Sequence, residues 1–300
     1  MPRTLHALAL VTILTLVTLG LPASIFTQST TPEPVSTTFG MFVASSPTDT
    51  YFKVDLEPGN SATLTAGISN TGTTPVDLRV FATNAYNPPN GGFAAGEEED
   101  ERTGPALWVN FEAMTVELAP GDRKTMDFTI TVPEGTAPGQ YTAALVARTA
   151  ESLDVPGTAN FRQILRSALP VTITVPGPEN PGFELGSPVF STGGEFTMVQ
   201  IPLTNTGNMR LKPQGALTIT TSDGTDALSA NIAMRSVFIG SDTLVQVALP
   251  ASMQAGDYLV SIDLTDPENN VHAGFTDVRI TLPNRASLPD GAMPSPSPET

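Results

Sequence analysis

The stretch of sequence that decides the fold is residues 61–86, SATLTAGISNTGTTPVDLRVFATNAY. Apolar side chains alternate with polar ones at positions 62, 64, 66 and 68, and again at 76, 78, 80 and 82. A period of two is typical of a β-strand with one face on a core and the other toward water. Asn70-Thr71-Gly72 separates the two runs, and Asn and Gly accept the positive φ of a tight turn. The stretch therefore predicts two strands of a β-sheet joined by a turn.

The same arrangement occurs again further along the chain. Asn205-Thr206-Gly207 repeats the turn, and each copy continues to a proline, five residues and Gly-x-Tyr, at residues 133–141 and 250–258. Each copy has the size of one immunoglobulin-type sandwich. The matching Tyr141 and Tyr258 are predicted to pack as tyrosine corners rather than to bind a ligand. The sequence therefore predicts an all-β protein with two tandem immunoglobulin-like β-sandwiches.

The two ends of the chain have a different composition from the repeats. The N-terminal segment has the pattern of a secretory signal: Arg3, then the apolar run Leu8–Leu21, then small residues after Pro22. The apolar run is shorter than the roughly 20 residues of a membrane span. We expect export with cleavage, and a retained N-terminal anchor is the alternative. The predicted organisation is a signal peptide or anchor at 1–28, a Thr/Pro-rich spacer at 29–38, a sandwich at 39–175, a Pro-rich linker at 176–181, a second sandwich at 182–283, and a disordered Pro/Ser-rich tail at 284–300.

Composition excludes several classes of function. The chain has no cysteine, which removes thiol catalysis, thiolate zinc sites and disulfide frameworks. A net charge of −16 argues against a nucleic-acid partner, and a membrane partner is expected only if the N-terminal segment is retained. The histidines are His6, inside the signal, and His272, on a predicted strand. With one histidine in the mature chain and no nucleophile-elbow motif, we predict no enzyme, no catalytic residue, no cofactor and no metal site.

The most unusual segment is residues 87–105, NPPNGGFAAGEEEDERTGP, which we name the insert. It contains five consecutive acids, Glu97, Glu98, Glu99, Asp100 and Glu101. Long loops in compact domains are often functional or mobile. A solvated, disordered acidic loop is the favoured interpretation, a calcium site is a weak alternative, and a recognition loop that contacts a partner is a third.

Aromatic residues flank the insert and extend the candidate surface. Tyr86 precedes it, Phe93 lies within it, and Trp108, the single tryptophan, follows it. A lone tryptophan at the start of a strand commonly packs over the edge of a core, and stacking on a sugar ring is the functional alternative. Together with the five acids, these three aromatics form the candidate surface for a ligand or partner.

A segment within the first half of the chain resembles a known family. Pro58-Gly59 opens a strand, Asn70 and Gly72 follow, then Ala82-Thr83-Asn84 and Gly91-Gly92-Phe93, and residues 108–147 begin with Trp108-Val109. In this order the features are similar to the WxL-protein peptidoglycan-binding domain family, formerly DUF916. The resemblance implies an exported β-sandwich that associates with the cell wall and brings no catalytic residues. It covers about a third of the chain, and the second repeat does not clearly match the family's partner-binding domain.

Three non-enzymatic hypotheses follow, all outside the cell or in its envelope. In the first, the protein binds the cell wall (peptidoglycan), or another surface protein or glycan, through residues 87–111. In the second, it is a structural or assembly module whose exposed sheet edges accept a strand from a partner subunit. In the third, it is a carbohydrate-binding module that uses Trp108. An enzyme with a carboxylate pair is the weakest hypothesis.

Overall fold

The structure is a computed structural model that describes residues 36–46, 48–154, 162–193 and 196–284. The first repeat contains the strands β1 Phe39–Val43, β2 Phe52–Asp55, β3 Ser61–Asn70, β4 Val76–Tyr86, β5 Ala94–Ala95, β6 Val109–Asn110, β7 Met114–Leu118, β8 Arg123–Thr131, β9 Gly139–Thr149, β10 Leu153–Asp154, β11 Arg162–Gln163 and β12 Arg166–Val175. The second contains β13 Phe183–Leu185, β14 Val189–Gly193, β15 Phe196–Asn205, β16 Gln214–Thr221, β17 Asp226–Ala233, β18 Asp242–Ala248, β19 Gly256–Asp266 and β20 Val271–Leu282.

Helical structure is scarce in the part of the chain that the structure describes. A short 3₁₀-helix, Gly104–Trp108, lies at the end of the insert, and no α-helix occurs among these residues. None of the described helices is long and apolar enough to cross a membrane. The predicted signal segment, the spacer up to residue 35 and the tail from residue 285 lie outside the described residues.

Each repeat forms a sandwich of two sheets. In the first sandwich, sheet I has the order β1-β3-β8-β6, and sheet II has the order β2-β12-β9-β4-β5 with β7 also beside β4. In the second sandwich, sheet III places β13, β14 and β18 around β15, and sheet IV has the order β17-β16-β19-β20. The prediction of an all-β protein with two tandem immunoglobulin-like sandwiches is confirmed. The exact domain bounds remain predictions, and residues 176–181 between the sandwiches carry no strand.

The alternating side chains meet between the sheets as the period of two predicts. In the first sandwich Ile68, Leu78 and Ile130 are each fully buried, and in the second Ile201 and Leu217 are fully buried. Burying one such side chain stabilises a fold by about 1.5–3 kcal/mol relative to leaving it exposed. Since the chain has no disulfide, these cores and the sheet hydrogen bonds supply its stability.

The two Asn-Thr-Gly turns are duplicated atom by atom. Asn70 Nδ2 donates to the carbonyls of Thr74 (2.8 Å) and Leu118 (3.1 Å), and its Oδ1 accepts from the Gly72 amide (2.9 Å). In the second sandwich Asn205 Nδ2 donates to the carbonyls of Met209 (2.8 Å) and Val237 (3.2 Å). Its Oδ1 accepts from the Gly207 amide at 3.0 Å. Both asparagines are buried, so each side chain replaces water for backbone groups that would otherwise be left unpaired.

The turns need glycine for a reason other than the predicted positive φ. Neither Gly72 nor Gly207 has a positive φ. A Cβ on Gly72 would lie 2.4 Å from the Ser36 carbonyl oxygen, and one on Gly207 would lie 2.5 Å from that of Asn180. In each copy the backbone entering the first strand passes too close to the turn for any side chain.

The tyrosine corners are also confirmed. The Tyr141 hydroxyl donates to the carbonyl of Ala137 at 2.9 Å, and the Tyr258 hydroxyl donates to that of Gln254 at 2.8 Å. Both bonds reach back four residues to the turn that precedes the strand. Burial raises the pKa of Tyr141. These tyrosines fix the turns before β9 and β19.

The outer face of sheet II differs from the prediction of a strand with one face toward water. Consecutive residues are buried in β4, at Phe81 and Ala82, and in β9 the run from Ala143 to Ala147 is buried on both faces. Phe93 and Ala95 of the insert pack on a small cluster of Phe81, Ala144 and Val146. The insert therefore covers the outer face and closes a third layer over sheet II.

Candidate functional site

The insert divides into three parts that do different things. Its first part, residues 87–92, lies on the second sandwich. Its second part, residues 93–101, lies across the outer face of sheet II. Its third part leads through the 3₁₀-helix to Trp108.

The first part docks on backbone groups of the second sandwich. Asn87 Nδ2 donates to the Ser236 carbonyl (2.8 Å), and Asn87 Oδ1 accepts from the Phe238 amide (2.7 Å). Asn90 does the same with Gln246, accepting from its amide at 2.8 Å and donating to its carbonyl at 3.0 Å. Each asparagine side-chain amide thus pairs with one backbone N–H and one backbone C=O, as the backbone of a neighbouring strand would.

Backbone hydrogen bonds of the insert extend this contact. The Asn90 amide donates to the Leu244 carbonyl at 2.7 Å, and the Gly92 amide donates to the Ser236 carbonyl at 2.8 Å. Gly91 has φ +73°, and a Cβ there would lie 2.6 Å from the Arg235 carbonyl oxygen. The Asn-Gly-Gly sequence is therefore needed both for the positive φ and for the close approach.

A second contact between the sandwiches lies beside the linker. Asn208 Nδ2 donates to the carbonyls of Pro138 (3.1 Å) and Pro178 (2.9 Å), and the Asn208 carbonyl accepts from the Gln140 amide (3.1 Å). The Gln140 side chain accepts from the Arg210 amide at 3.1 Å. With two separate contacts, the sandwiches are held in one orientation.

The second part of the insert pairs with three arginines of sheet II. Glu98 accepts from Arg79 at 2.6 Å and lies 3.7 Å from Arg148, and Glu99 lies 3.5 Å from Arg148. Glu97 is paired with Arg166. The hydrogen bond to Glu98 raises the pKa of Arg79, with a smaller opposing effect of burial. These bonds order the acidic run, in contrast to the favoured prediction of a solvated, disordered loop.

The three arginines form one row across three strands, which we name the arginine row: Arg79, Arg148 and Arg166. Arg79 on β4 is the register partner of Arg148 on β9, and Arg148 is the register partner of Arg166 on β12. Like charges in directly opposite positions destabilise a sheet. The carboxylates of the acidic run offset this repulsion. Arg148, in the middle of the row, is the most covered of the three arginines, with a side chain only 18% exposed.

Further hydrogen bonds shape the rest of the insert. The Glu97 amide donates to Asp100 Oδ2 at 2.7 Å, and Asn84 Nδ2 donates to the Glu101 carbonyl at 2.8 Å. Arg102 donates to the carbonyls of Ala106 and Val109, and burial lowers its pKa. Asp100 and Arg102 therefore stabilise the conformation of the insert through hydrogen bonds to its own backbone and to the strand that follows it.

The flanking aromatics are separated by the structure into exposed and packed residues. Trp108 packs edge-on against Tyr141, with ring centroids 4.7 Å apart, and both lie against the core of the first sandwich. Phe93 packs on the outer face of sheet II. Tyr86 is 41% exposed, and Leu107 beside Trp108 is 59% exposed. Of the three predicted aromatics, Tyr86 alone is largely open to a ligand.

Carboxylate and histidine side chains of the described residues form no cluster suited to a metal ion. Within 36–46, 48–154, 162–193 and 196–284, no group of three or more Asp, Glu or His side chains is placed to hold a metal ion. His272 lies on β20, is exposed, and its Nε2 is 3.1 Å from Asp263 Oδ2. A calcium role for the acidic run stays a prediction without support from its geometry.

Sequence reasoning missed Asn87, Asn90 and the arginine row. The arginines could have been found by aligning β4, β9 and β12 in register, because only then do positions 79, 148 and 166 coincide. The docking role of the asparagines has no local signal, since their partners are backbone groups about 150 positions away, with sequence separations of 149, 151 and 156.

Comparison with known proteins gives a family match for about a third of the chain. Residues 45–148 match the family model described as WxL Interacting Protein, peptidoglycan binding domain, which confirms the resemblance. No curated protein matches the chain.

Several solved structures share a loose similarity of fold. The class 5 fimbriae chaperone CfaA is 13% identical over 80% of this chain and 99% of its own, with a TM-score of 0.34. The Salmonella enterica SafA pilin–SafB chaperone complex gives 10% identity over 83% and 98%, with a TM-score of 0.35. The E. coli chaperone DraB gives 12% identity over 81% and 98%, with a TM-score of 0.33. At these TM-scores the similarity supports no inference about this chain.

Proposed function

Because residues 45–148 match the peptidoglycan binding domain of WxL interacting proteins, we propose that this chain is a non-enzymatic protein of the cell envelope. Its first sandwich binds the wall, with peptidoglycan as the ligand, or another surface protein or glycan. The family match is the observation that carries the proposal. Export by the predicted signal at 1–28 belongs to the same proposal, since the wall lies outside the cell.

The contacts of the insert narrow the surface that a wall ligand could use. Residues 87–92 are engaged by the second sandwich, and Trp108 and Phe93 pack within the first. Tyr86, Leu107 and the outward side chains of the acidic run remain accessible, with Glu99 73% exposed. We assign the ligand contact to these accessible residues. A tyrosine and a leucine supply apolar area for a glycan or peptide, and the carboxylates accept its hydrogen bonds.

The contact between residues 87–92 and the second sandwich also affects the proposed ligand-binding surface. The same segment that ends at Gly92 on the second sandwich continues directly into the part that crosses sheet II. The contact therefore fixes one end of the ligand-binding segment. Holding a binding loop in one conformation lowers the entropy lost on binding.

The test is co-sedimentation of the purified protein with wall sacculi. We expect the protein to be retained, and we expect the double variant Tyr86→Ala/Leu107→Ala to be retained at least several-fold less. Phe196→Ala is the matched control, because Phe196 is 66% exposed on the second sandwich. Circular dichroism confirms that each variant is folded. Absence of the parent protein from the sacculi pellet would refute wall binding, and equal loss with Phe196→Ala would refute the assigned surface.

A further inference from the structure

The two sandwiches differ at one sheet edge. In the first sandwich the chain leaves β1, crosses to sheet II and pairs there as β2, parallel to β12. In the second sandwich the chain leaves β13 and returns to the same strand, β15, as β14. Among the described residues β20, the counterpart of β12, pairs with β19 alone. The position next to β20 that β2 occupies next to β12 is therefore empty of described strands.

The register makes the two edges comparable residue by residue. Val171 and Ile173 of β12 lie opposite Ala143 and Tyr141 of β9. In the second sandwich Val278 and Ile280 of β20 lie opposite Val260 and Tyr258 of β19. Since Tyr141 and Tyr258 are the two tyrosine corners, Val278 and Ile280 correspond to Val171 and Ile173.

Burial differs at these corresponding positions. Val171 and Ile173 are both 0% exposed, whereas Val278 and Ile280 are only half-buried. The residues between and after them follow the same trend: Thr172 and Thr174 are half-buried beside β2, and Arg279 and Thr281 are exposed. Apolar side chains on the core face of β20 thus keep water-accessible surface that β2 removes in the first sandwich, and covering it is favourable.

The backbone of β20 offers the matching hydrogen-bonding groups. In the first sandwich the Thr174 carbonyl points away from β9 and accepts from the Leu56 amide at 2.9 Å. Because Thr281 corresponds to Thr174, its amide and carbonyl point away from β19. Asp277, with φ +53°, forms a bulge before this stretch, where the pairing with β19 slips between Val260 and Ile262. The regular open edge is therefore Val278–Leu282, whose five residues are enough to pair with a strand of the four-residue length of β2.

We propose that the edge Val278–Leu282 binds an extended segment of a partner protein as a parallel strand, in the position that β2 takes in the first sandwich. The chemistry of that segment follows from β2, whose Phe52 and Val54 lie opposite Val171 and Ile173. The partner carries apolar side chains at alternate positions that enter the core side of β20. Between them it carries an acidic residue opposite Arg279, whose guanidinium lies 3.8 Å from Asp257 Oδ2 and whose side chain is still 68% exposed.

A second copy of the chain fits this edge less well. The described segment with the right pattern, β2, is already held in sheet II. A copy would have to offer β20 itself, and the bulge at Asp277 interrupts a long antiparallel pairing of two such edges. The net charge of −16 also opposes self-association. The proposal does not depend on wall binding, because it concerns the other sandwich.

The experiment uses a synthetic probe and a matched pair of variants of the full chain. The probe is a fluorescein-labelled peptide with the sequence of residues 50–57 and a glutamate in place of Lys53, and its scrambled sequence is the control. Fluorescence anisotropy measures binding. Thr281→Pro removes the outward amide and leaves the pairing with β19 intact, since proline is tolerated on the solvent side of an edge strand. Thr281→Val keeps the amide and replaces the hydroxyl, which donates to Asp257 Oδ1 at 2.6 Å, with a methyl group, so both variants lose this side-chain bond and differ in the amide.

We expect the probe to bind the parent and Thr281→Val within about twofold of each other, and Thr281→Pro at least tenfold more weakly. Thermal melts confirm that both variants are folded. The proposal is overturned if the probe binds no better than its scrambled control, or if Thr281→Pro binds as well as Thr281→Val. It is also overturned, in favour of a second copy, if light scattering shows a dimer of the parent that Thr281→Pro abolishes.

Discussion

Removing the two docking asparagines is expected to weaken the contact between the insert and the second sandwich without disturbing either core. In the double variant Asn87→Ala/Asn90→Gly the cross-sandwich bonds to Ser236, Phe238 and Gln246 are lost. Glycine is chosen at position 90 because Asn90 has φ +62°, where alanine would add backbone strain. Asn87→Ala also removes a buried hydrogen bond within the insert, from Asn87 Nδ2 to the Gly92 carbonyl, whereas Asn90→Gly leaves the backbone at position 90 able to keep its positive φ.

The magnitude follows from the burial of the bonds. Each net hydrogen bond contributes about 1 kcal/mol, and leaving a buried partner unsatisfied costs about 1–3 kcal/mol. The bonds of Asn87 are buried or partly buried, and those of Asn90 are exposed and weaker. Together the loss is about 2–4 kcal/mol of coupling, which raises the population of undocked molecules on the order of 30- to 1,000-fold.

Calorimetry and small-angle X-ray scattering measure the effect. We expect the parent to unfold in one transition and the double variant to unfold in two, with a larger radius of gyration before unfolding. The control variant is Asn110→Ala/Asn270→Gly, since Asn110 bonds only within the first sandwich and Asn270 has a similar positive φ of 53°. A single transition with an unchanged midpoint in the docking variant would show that these side chains do not couple the sandwiches.

Other substitutions test the remaining contacts. Gly91→Ala should lower the melting temperature by several degrees, because the added Cβ would lie 2.6 Å from the Arg235 carbonyl oxygen. Gly104→Ala should lower it less, since Gly104 also has a positive φ but no atom lies within 4 Å of its added Cβ. Equal shifts would contradict the close-approach argument. Glu98→Gln should destabilise the fold by about 1 kcal/mol in a urea titration, because the neutral amide no longer offsets the charges of Arg79 and Arg148. Glu151→Gln, at an exposed position, should change the stability little. Burial raises the pKa of Tyr141 in the folded state, so the protonated hydroxyl contributes to the free energy of unfolding. This contribution is fully present below about pH 10 and is lost as the pH rises through the folded pKa. Tyr141→Phe should therefore reduce the fall of the urea midpoint at alkaline pH, and an unchanged fall would assign the pH dependence to other groups.

Local chemistry made much of the fold predictable. Alternation of apolar residues in residues 61–86 depends on the geometry of a strand alone, so it identifies β3 and β4 without knowledge of their neighbours. The repeated Asn-Thr-Gly and Gly-x-Tyr motifs are equally local, because their side chains bond to backbone within a few residues or at the same end of the sheet. For these features the sequence contains both partners.

Non-local partners account for what the sequence could not show. Asn87 and Asn90 read as ordinary loop residues until the backbone at positions 236–246 is placed beside them. The acidic run reads as solvated until strand register aligns Arg79 with Arg148. In both cases a polar residue without a recognisable partner in the sequence forms a hydrogen bond or an ion pair with a group that only the tertiary structure brings near. The segment with the most unusual composition was correctly singled out, and its main contacts proved to be intramolecular.

Divergence of the two copies leaves a different kind of surface accessible on each sandwich. In the first copy β2 covers the edge of β12, and the insert covers the outer face of sheet II, so its accessible features are the side chains at the rim of the insert. In the second copy the chain returns as β14, and no described strand lies beside the edge Val278–Leu282 on the side away from β19. A side-chain surface suits a glycan or a peptide bound from solution, whereas an open edge suits an extended protein segment. Since the contact made by Asn87 and Asn90 helps to hold the two sandwiches in one orientation, a ligand on the first sandwich and a strand on the second would be kept at a fixed separation. Variants that break this contact should weaken ligand binding on the first sandwich, because one end of the binding segment is then freed, and should leave the affinity of the edge in the second sandwich intact.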